Sequence, residues 1–133
     1  MAVSILIVED EILVALEMES ILQDRGYEVA GIAADLAGAL AFASSNIDLA
    51  LVDLNLRDGL TGPEIGKRLA NEHKAKVLFV TANPRLLGDG IAGAVGVLTK
   101  PTDEASLTAA IAYALARSSG EQVQAPPSLR CFS

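Results

Sequence analysis

The sequence predicts an α/β fold, a doubly wound parallel sheet of five strands with helices on both faces. Two observations carry this. Five short apolar runs recur along the chain, at residues 5–8, 29–33, 49–52, 77–80 and 95–98. Each is nearly continuous in apolar character instead of alternating, as expected of strands covered on both faces. Between the runs, apolar residues fall at helical spacing.

Taken in order, the run at 5–8 is followed by a stripe of Val14, Met18, Ile21 and Leu22, which Gly26 closes as the residue just past a helix end. After the second run, Asp35 is placed to cap a helix carrying Leu36, Ala39, Leu40 and Ala43. After the third, Pro63 suits a first helical turn, and the helix runs to about His73. The interval 82–94 after the fourth run differs. It contains Pro84, Gly88, Gly90 and Gly93, and its one strong apolar pair is Leu86 and Leu87. An interior glycine costs a helix about 1 kcal/mol, so this fourth helix is expected to be short or distorted. The last helix carries Leu107, Ala110, Ile111, Ala114 and Leu115, with Thr102 or Asp103 as its cap. Parallel strands need crossover connections, and these are right-handed. For five strands the expected order is 2-1-3-4-5, the flavodoxin-like arrangement. The domain is read as residues 1–117. Residues 118–133, rich in Ser, Pro and Gln, are expected to form a flexible C-terminal tail.

Composition narrows the function. At 133 residues and 51% hydrophobic, the chain has enough apolar material for one core and too much for a disordered segment. With 17 acids against 10 bases the net charge is −7, which lacks the basic footprint of a nucleic-acid binder. No apolar run approaches the ~20 residues of a membrane span. Residues 1–8 carry no positively charged region of a signal peptide. The one cysteine, Cys131, has no intrachain partner. The expectation is a soluble cytoplasmic domain with neither nucleic acid nor membrane among its partners.

In an open α/β sheet, ligands bind beyond the carboxyl ends of the strands. The first run is followed by Glu9, Asp10 and Glu11, the third by Asp53, the fourth by Thr81, and the fifth by Lys100 and Pro101 after Thr99. The topology thus gathers acids, a hydroxyl and an ammonium on one edge. Each alone has an ordinary explanation. Acids suit the first turn of a helix, an Asp often closes a strand into a turn, and Lys-Pro marks a helix boundary. Together they fit metal-assisted phosphoryl transfer onto an aspartate. Clustered carboxylates favour Mg²⁺, a lysine neutralises a phosphoryl group, and a carboxylate can act as the nucleophile.

These residues resemble the receiver domain of two-component response regulators. The resemblance rests on Glu9, Asp10 and Glu11 after the first run, Asp53-Leu54-Asn55-Leu56, Thr81-Ala82, and Lys100-Pro101. It covers residues 3 to about 117. It implies a domain that takes a phosphoryl group from the phosphohistidine of a sensor histidine kinase or phosphotransfer protein. Asp53 would be the phosphoacceptor. Glu9, Asp10 and Asp53, with the backbone carbonyl of Asn55, would hold Mg²⁺. Thr81 would be the switch hydroxyl and Lys100 the phosphoryl-binding base. Such a domain catalyses its own phosphotransfer and dephosphorylation without being a multiple-turnover enzyme. The family's cis bond before the proline is expected at Lys100-Pro101. Its output would be a protein target or a homodimer, engaged through 82–94 and the last helix, or a phosphorelay.

There are departures. The family places an aromatic residue three positions before the lysine, and here that residue is Val97. The segment 57–62 lacks the common proline and is slightly long, and 82–94 is Gly-rich. These features are similar to the receivers of alphaproteobacterial general-stress regulators of PhyR type. The missing ring also motivates an alternative, a receiver-like module that binds its partner independently of phosphorylation. A phosphohydrolase would need a second acid two residues past the nucleophile, where Asn55 stands. Gly88, Gly90 and Gly93 spell a dinucleotide fingerprint, but it does not directly follow a strand. His73 reads as a surface residue at a helix end.

Overall fold

The computed structural model describes residues 2–118 and 124–132. The chain runs β1 (Ser4–Val8), α1 (Ile12–Asp24), β2 (Glu28–Ala33), α2 (Leu36–Ala43), β3 (Leu49–Val52), α3 (Gly62–Glu72), β4 (Lys76–Thr81), a single 3-10 turn (Pro84–Leu87), β5 (Gly96–Thr99), α4 (Glu104–Ser118) and β6 (Leu129–Cys131). The strand order is β2-β1-β3-β4-β5-β6. The first five strands pair in parallel, as the apolar runs predict.

Alternate side chains of each strand feed two separate cores, because strand residues point to opposite faces in turn. Leu6 and Val8 of β1 pack on the side of α2 and α3, while Ile5 and Ile7 pack on the side of α1 and α4. The same division holds for Val77 and Phe79 against Leu78 and Val80 on β4. This double covering is why the runs read as continuously apolar. The edge strand β2 is covered less completely, and only Ala33 is fully buried in it.

The helix boundaries follow local chemistry. Asp35 caps α2 by accepting the Gly38 N–H at 2.8 Å. Asp103, one of the two candidate caps, accepts the Ser106 N–H at 2.7 Å and starts α4. Gly26, at φ +82°, ends α1 in the left-handed conformation that glycine adopts without steric cost. In 82–94 the only helical element is the 3-10 turn, in line with its glycines and Pro84.

One expectation is corrected. The five parallel strands stand in the expected order, and the stretch read as a flexible tail adds a sixth, antiparallel strand at the edge. β6 pairs antiparallel with β5, with Gly96 opposite Cys131 and Leu98 opposite Leu129. Phe132 is buried, and its N–H donates to the Val95 carbonyl at 2.9 Å. The physical reason is β5 itself, whose outer edge would otherwise present bare amides and carbonyls. Residues 119–123, also part of the expected tail, lie outside the described residues.

α3 sits against β4 at Gly66, where an added Cβ would lie 2.3 Å from the Phe79 ring. Gly66→Ala is therefore expected to cost roughly 1–3 kcal/mol by overpacking, read from the urea midpoint. In a Phe79→Leu background the same substitution is expected to cost less, because the two residues share one contact.

Candidate functional site

Each strand end delivers its residue through one further ladder bond. The Glu9 N–H donates to Ala33 O at 2.8 Å, Asp53 N–H to Val8 O at 3.0 Å, and Lys100 N–H to Thr81 O at 2.8 Å. The peptide bond Lys100-Pro101 is cis, as the resemblance implies.

The structure brings Glu9, Asp10, Asp53 and Lys100 together. Oxygens of the three carboxylates lie within 4.8 Å of one another. Lys100 Nζ donates to Glu9 Oε1 at 2.6 Å and to Asp53 Oδ2 at 2.9 Å. Glu9 is buried, Asp53 half-buried and Asp10 exposed, so the cluster opens toward solvent on the Asp10 side. Burial holds the Glu9 carboxyl above its ordinary range, against the lowering effect of its hydrogen bond from Lys100. Burial alone would lower Lys100, but its hydrogen bonds to Glu9 and Asp53 outweigh it, and the ammonium is held above its usual range. The remaining oxygens are fixed by backbone: Asp53 Oδ1 accepts the Leu54 N–H at 2.7 Å, and Glu9 Oε2 accepts the Glu11 N–H at 3.1 Å.

Thr81 is buried at the end of β4, and its Oγ1 accepts the Asn83 N–H at 3.0 Å. Asn55 is exposed in the bend after Asp53. The donor set suits a hard divalent cation. Three carboxylates within reach of one ion, one open to water, match the oxygen ligation that Mg²⁺ prefers.

Residues that the sequence reading did not place at the site shape this edge. Gly62 N–H donates to Leu54 O at 3.0 Å, and a Cβ on Gly62 would fall 2.0 Å from the Asp53 carbonyl. The start of α3 thus lies directly on the Asp53 backbone, an approach open only to glycine. The long loop after Asp53 is tied to α2. Arg57 pairs with Asp35, whose carboxyl is held below its ordinary value chiefly by that bond. Asp58 accepts from Thr61 Oγ1 at 2.6 Å and from Leu36 N–H at 3.1 Å, and these bonds lower it likewise. Gly62 next to Pro63 signals a helix start in the sequence, but not what the helix start rests on.

The sequence matches the response regulator receiver domain over residues 5–112. The chain belongs to this family. Among curated relatives, this receiver is 34% identical over 118 residues to the phyllosphere-induced regulator PhyR of Methylorubrum extorquens, covering 86% of this chain and 44% of that one. It is 32% identical over 119 residues to the transcriptional regulatory protein PdtaR of Mycobacterium tuberculosis, covering 85% and 57%. It therefore spans about half the length of the curated relatives it matches. Among solved structures it is similar to the PhyR receiver domain of Erythrobacter litoralis, with TM-score 0.77, 30% identity, and 86% and 90% coverage. A CheY-like receiver from Methanospirillum hungatei gives TM-score 0.80 at 28% identity, with 92% and 100% coverage. The resemblance to PhyR-type receivers read from the sequence is thus supported by both kinds of relative.

Two outcomes follow from the geometry. Lys100→Met removes the ammonium between two carboxylates and leaves Glu9 buried without it. This is expected to cost roughly 1–3 kcal/mol in urea unfolding without divalent ions, and less in a Glu9→Gln background. Asp35 and Asp58 have folded-state values below their ordinary 3.8. Their stabilisation is complete above that value and is lost as pH falls through the lowered range. Asp58→Asn is expected to flatten the acid limb of the stability profile, measured by thermal unfolding between about pH 2 and pH 5.

Proposed function

We propose that this receiver accepts a phosphoryl group on Asp53 from the phosphohistidine of a sensor histidine kinase or phosphotransfer protein, in the cytoplasm. The observation that carries the reading is Lys100 Nζ bridging Glu9 Oε1 and Asp53 Oδ2. It sets a point charge beside the carboxylate oxygen to which a phosphoryl group would be added. In the transfer, an Asp53 oxygen forms a bond to phosphorus as the histidine N–P bond breaks, and the imidazole leaves. Glu9, Asp10, Asp53 and the Asn55 carbonyl would hold Mg²⁺, which when bound withdraws charge from the phosphoryl oxygens. Lys100 pairs with one of those oxygens, and the Thr81 hydroxyl donates to another. Asn55 in place of a second acid leaves no general acid for rapid multiple turnover.

The surface supports a protein donor over a small molecule. Among the described residues, the exposed large hydrophobics are Ile12, Leu13 and Leu16 on the first turns of α1, Leu60 in the loop after Asp53, and Leu86 in the 3-10 turn. All lie on segments that leave the carboxyl ends of β1, β3 and β4, around the acidic edge. Apolar side chains so placed favour a docked protein face. One similar structure is described as the anti-anti-sigma factor PhyR of Bartonella quintana. We infer that this receiver likewise signals by protein contact, through 82–94 and α4.

Incubation with acetyl phosphate and Mg²⁺ is expected to add one phosphoryl group by intact mass. Asp53→Ala should show none. Chelation of Mg²⁺ is expected to slow uptake by at least about two orders of magnitude. Absence of any increment with small donors and with a kinase overturns the reading.

A further inference from the structure

We propose that β6 is a latch over the outer edge of β5, and that this edge is a docking site for an extended partner strand that replaces β6. The proposal rests on Asp53 being the phosphoacceptor and Thr81 its switch hydroxyl.

The segment after β4 has little structure of its own. Beyond the 3-10 turn it contains Gly88, Gly90 and Gly93, all at positive φ. It is held from outside, at both ends and in the middle. At its start, the Asn83 N–H is bound by Thr81 Oγ1. At its far end, Asn71 Nδ2 donates to Ala92 O at 3.0 Å. Between these, β6 holds it. Arg130 Nη1 donates to Gly88 O at 3.0 Å and Nη2 to Pro84 O at 3.2 Å. The Arg130 guanidinium also lies 5.5 Å from the centre of the Phe132 ring.

Phe132 fills the recess beneath this segment. A Cβ on Gly90 would lie 2.6 Å from the Phe132 ring, and the ring centre is 6.3 Å from that of Phe79. Val97 belongs to the same core and is too small to fill the space alone. The Thr81 hydroxyl and the β6 side chains therefore act on one short, weakly structured segment, at its start and along its middle. Drawing Thr81 toward a phosphoryl oxygen removes the acceptor of the Asn83 N–H. The carbonyls of Pro84 and Gly88 then lose the fixed positions that Arg130 requires.

β6 has only three residues, so its pairing can be exchanged. It also defines what the bared edge accepts. The edge takes an antiparallel strand, which approaches at Gly96, where a Cβ would lie 2.5 Å from the Arg130 carbonyl. That strand carries an arginine for the two carbonyls and, two residues on, an aromatic ring for the recess. A basic segment also suits a receiver of net charge −7. Strand addition of this kind draws affinity from main-chain bonds and specificity from such side-chain pockets.

The test uses the full chain and a fluorescent peptide of residues 126–132. A site open only part of the time shows an affinity reduced by that fraction, so phosphorylation confirmed by mass is expected to tighten peptide binding at least about tenfold. Exchange of the Phe132 amide should quicken in parallel. Arg130→Ala in the unphosphorylated chain is expected to tighten binding similarly, without any phosphate. Peptides with alanine in place of the arginine or the phenylalanine should bind weakly to every form. Unchanged peptide affinity and unchanged Phe132 exchange in the phosphorylated chain overturn the latch. A chain that takes up no phosphate overturns the phosphoacceptor reading instead. The Arg130→Ala chain then decides the docking edge by itself, supporting it if binding tightens and overturning it if not.

Discussion

One ammonium among three carboxylates organises this molecule. Glu9 is 2% exposed, and a charged carboxylate so far from water needs an opposite charge and hydrogen bonds. Lys100 supplies both, and does so for Asp53 as well. The requirement reaches back into the fold. Glu9 must leave β1, Asp53 must leave β3 and Lys100 must leave the end of β5 at the same edge, which a parallel sheet in this order provides. The ammonium is also the right group to yield. It is compact, on a flexible stem, and in the proposed transfer would shift from carboxylate to phosphoryl oxygen without the planar fit that a guanidinium demands.

The Asp53 backbone is held as firmly as its side chain. Gly62 brings the start of α3 against the Asp53 carbonyl, while Arg57 and Asp58 tie the following loop to the start of α2. The extra length of this loop is therefore not slack. It folds back on itself through the paired Leu56 and Gly59, and it reaches across to Asp35. Two helix starts and one strand end are thereby fixed relative to the same carboxylate.

The legible part of the structure was the part written in local pattern. Continuous apolar runs mark strands that lie between two helical layers. Polar residues at their carboxyl ends become neighbours as soon as the order is known. Glu9, Asp10, Asp53 and Lys100 were readable for that reason, and so was the absence of a regular helix among the glycines after β4. What could not be read depends on tertiary partners. Leu129-Arg130-Cys131 has no periodicity to distinguish it from a tail, and it is a strand only because the edge of β5 is there to pair with it. Gly62 matters through an approach made by the folded chain. Arg57 finds Asp35 across a gap in sequence that no motif marks.

β6 changes what the missing ring at position 97 means. Seen in sequence alone, Val97 is a loss, a core position without the aromatic residue expected of the family. In the folded chain the same layer holds Phe132 packed beside Phe79. The two arrangements differ in their consequences. A ring on β5 can only rotate in place, whereas a ring carried by a three-residue edge strand leaves together with its backbone hydrogen bonds. Removing it uncovers an apolar recess and a row of unpaired strand groups at once, and both are costly to leave bare. A receiver built this way couples the state of its acidic edge to the demand for a strand partner.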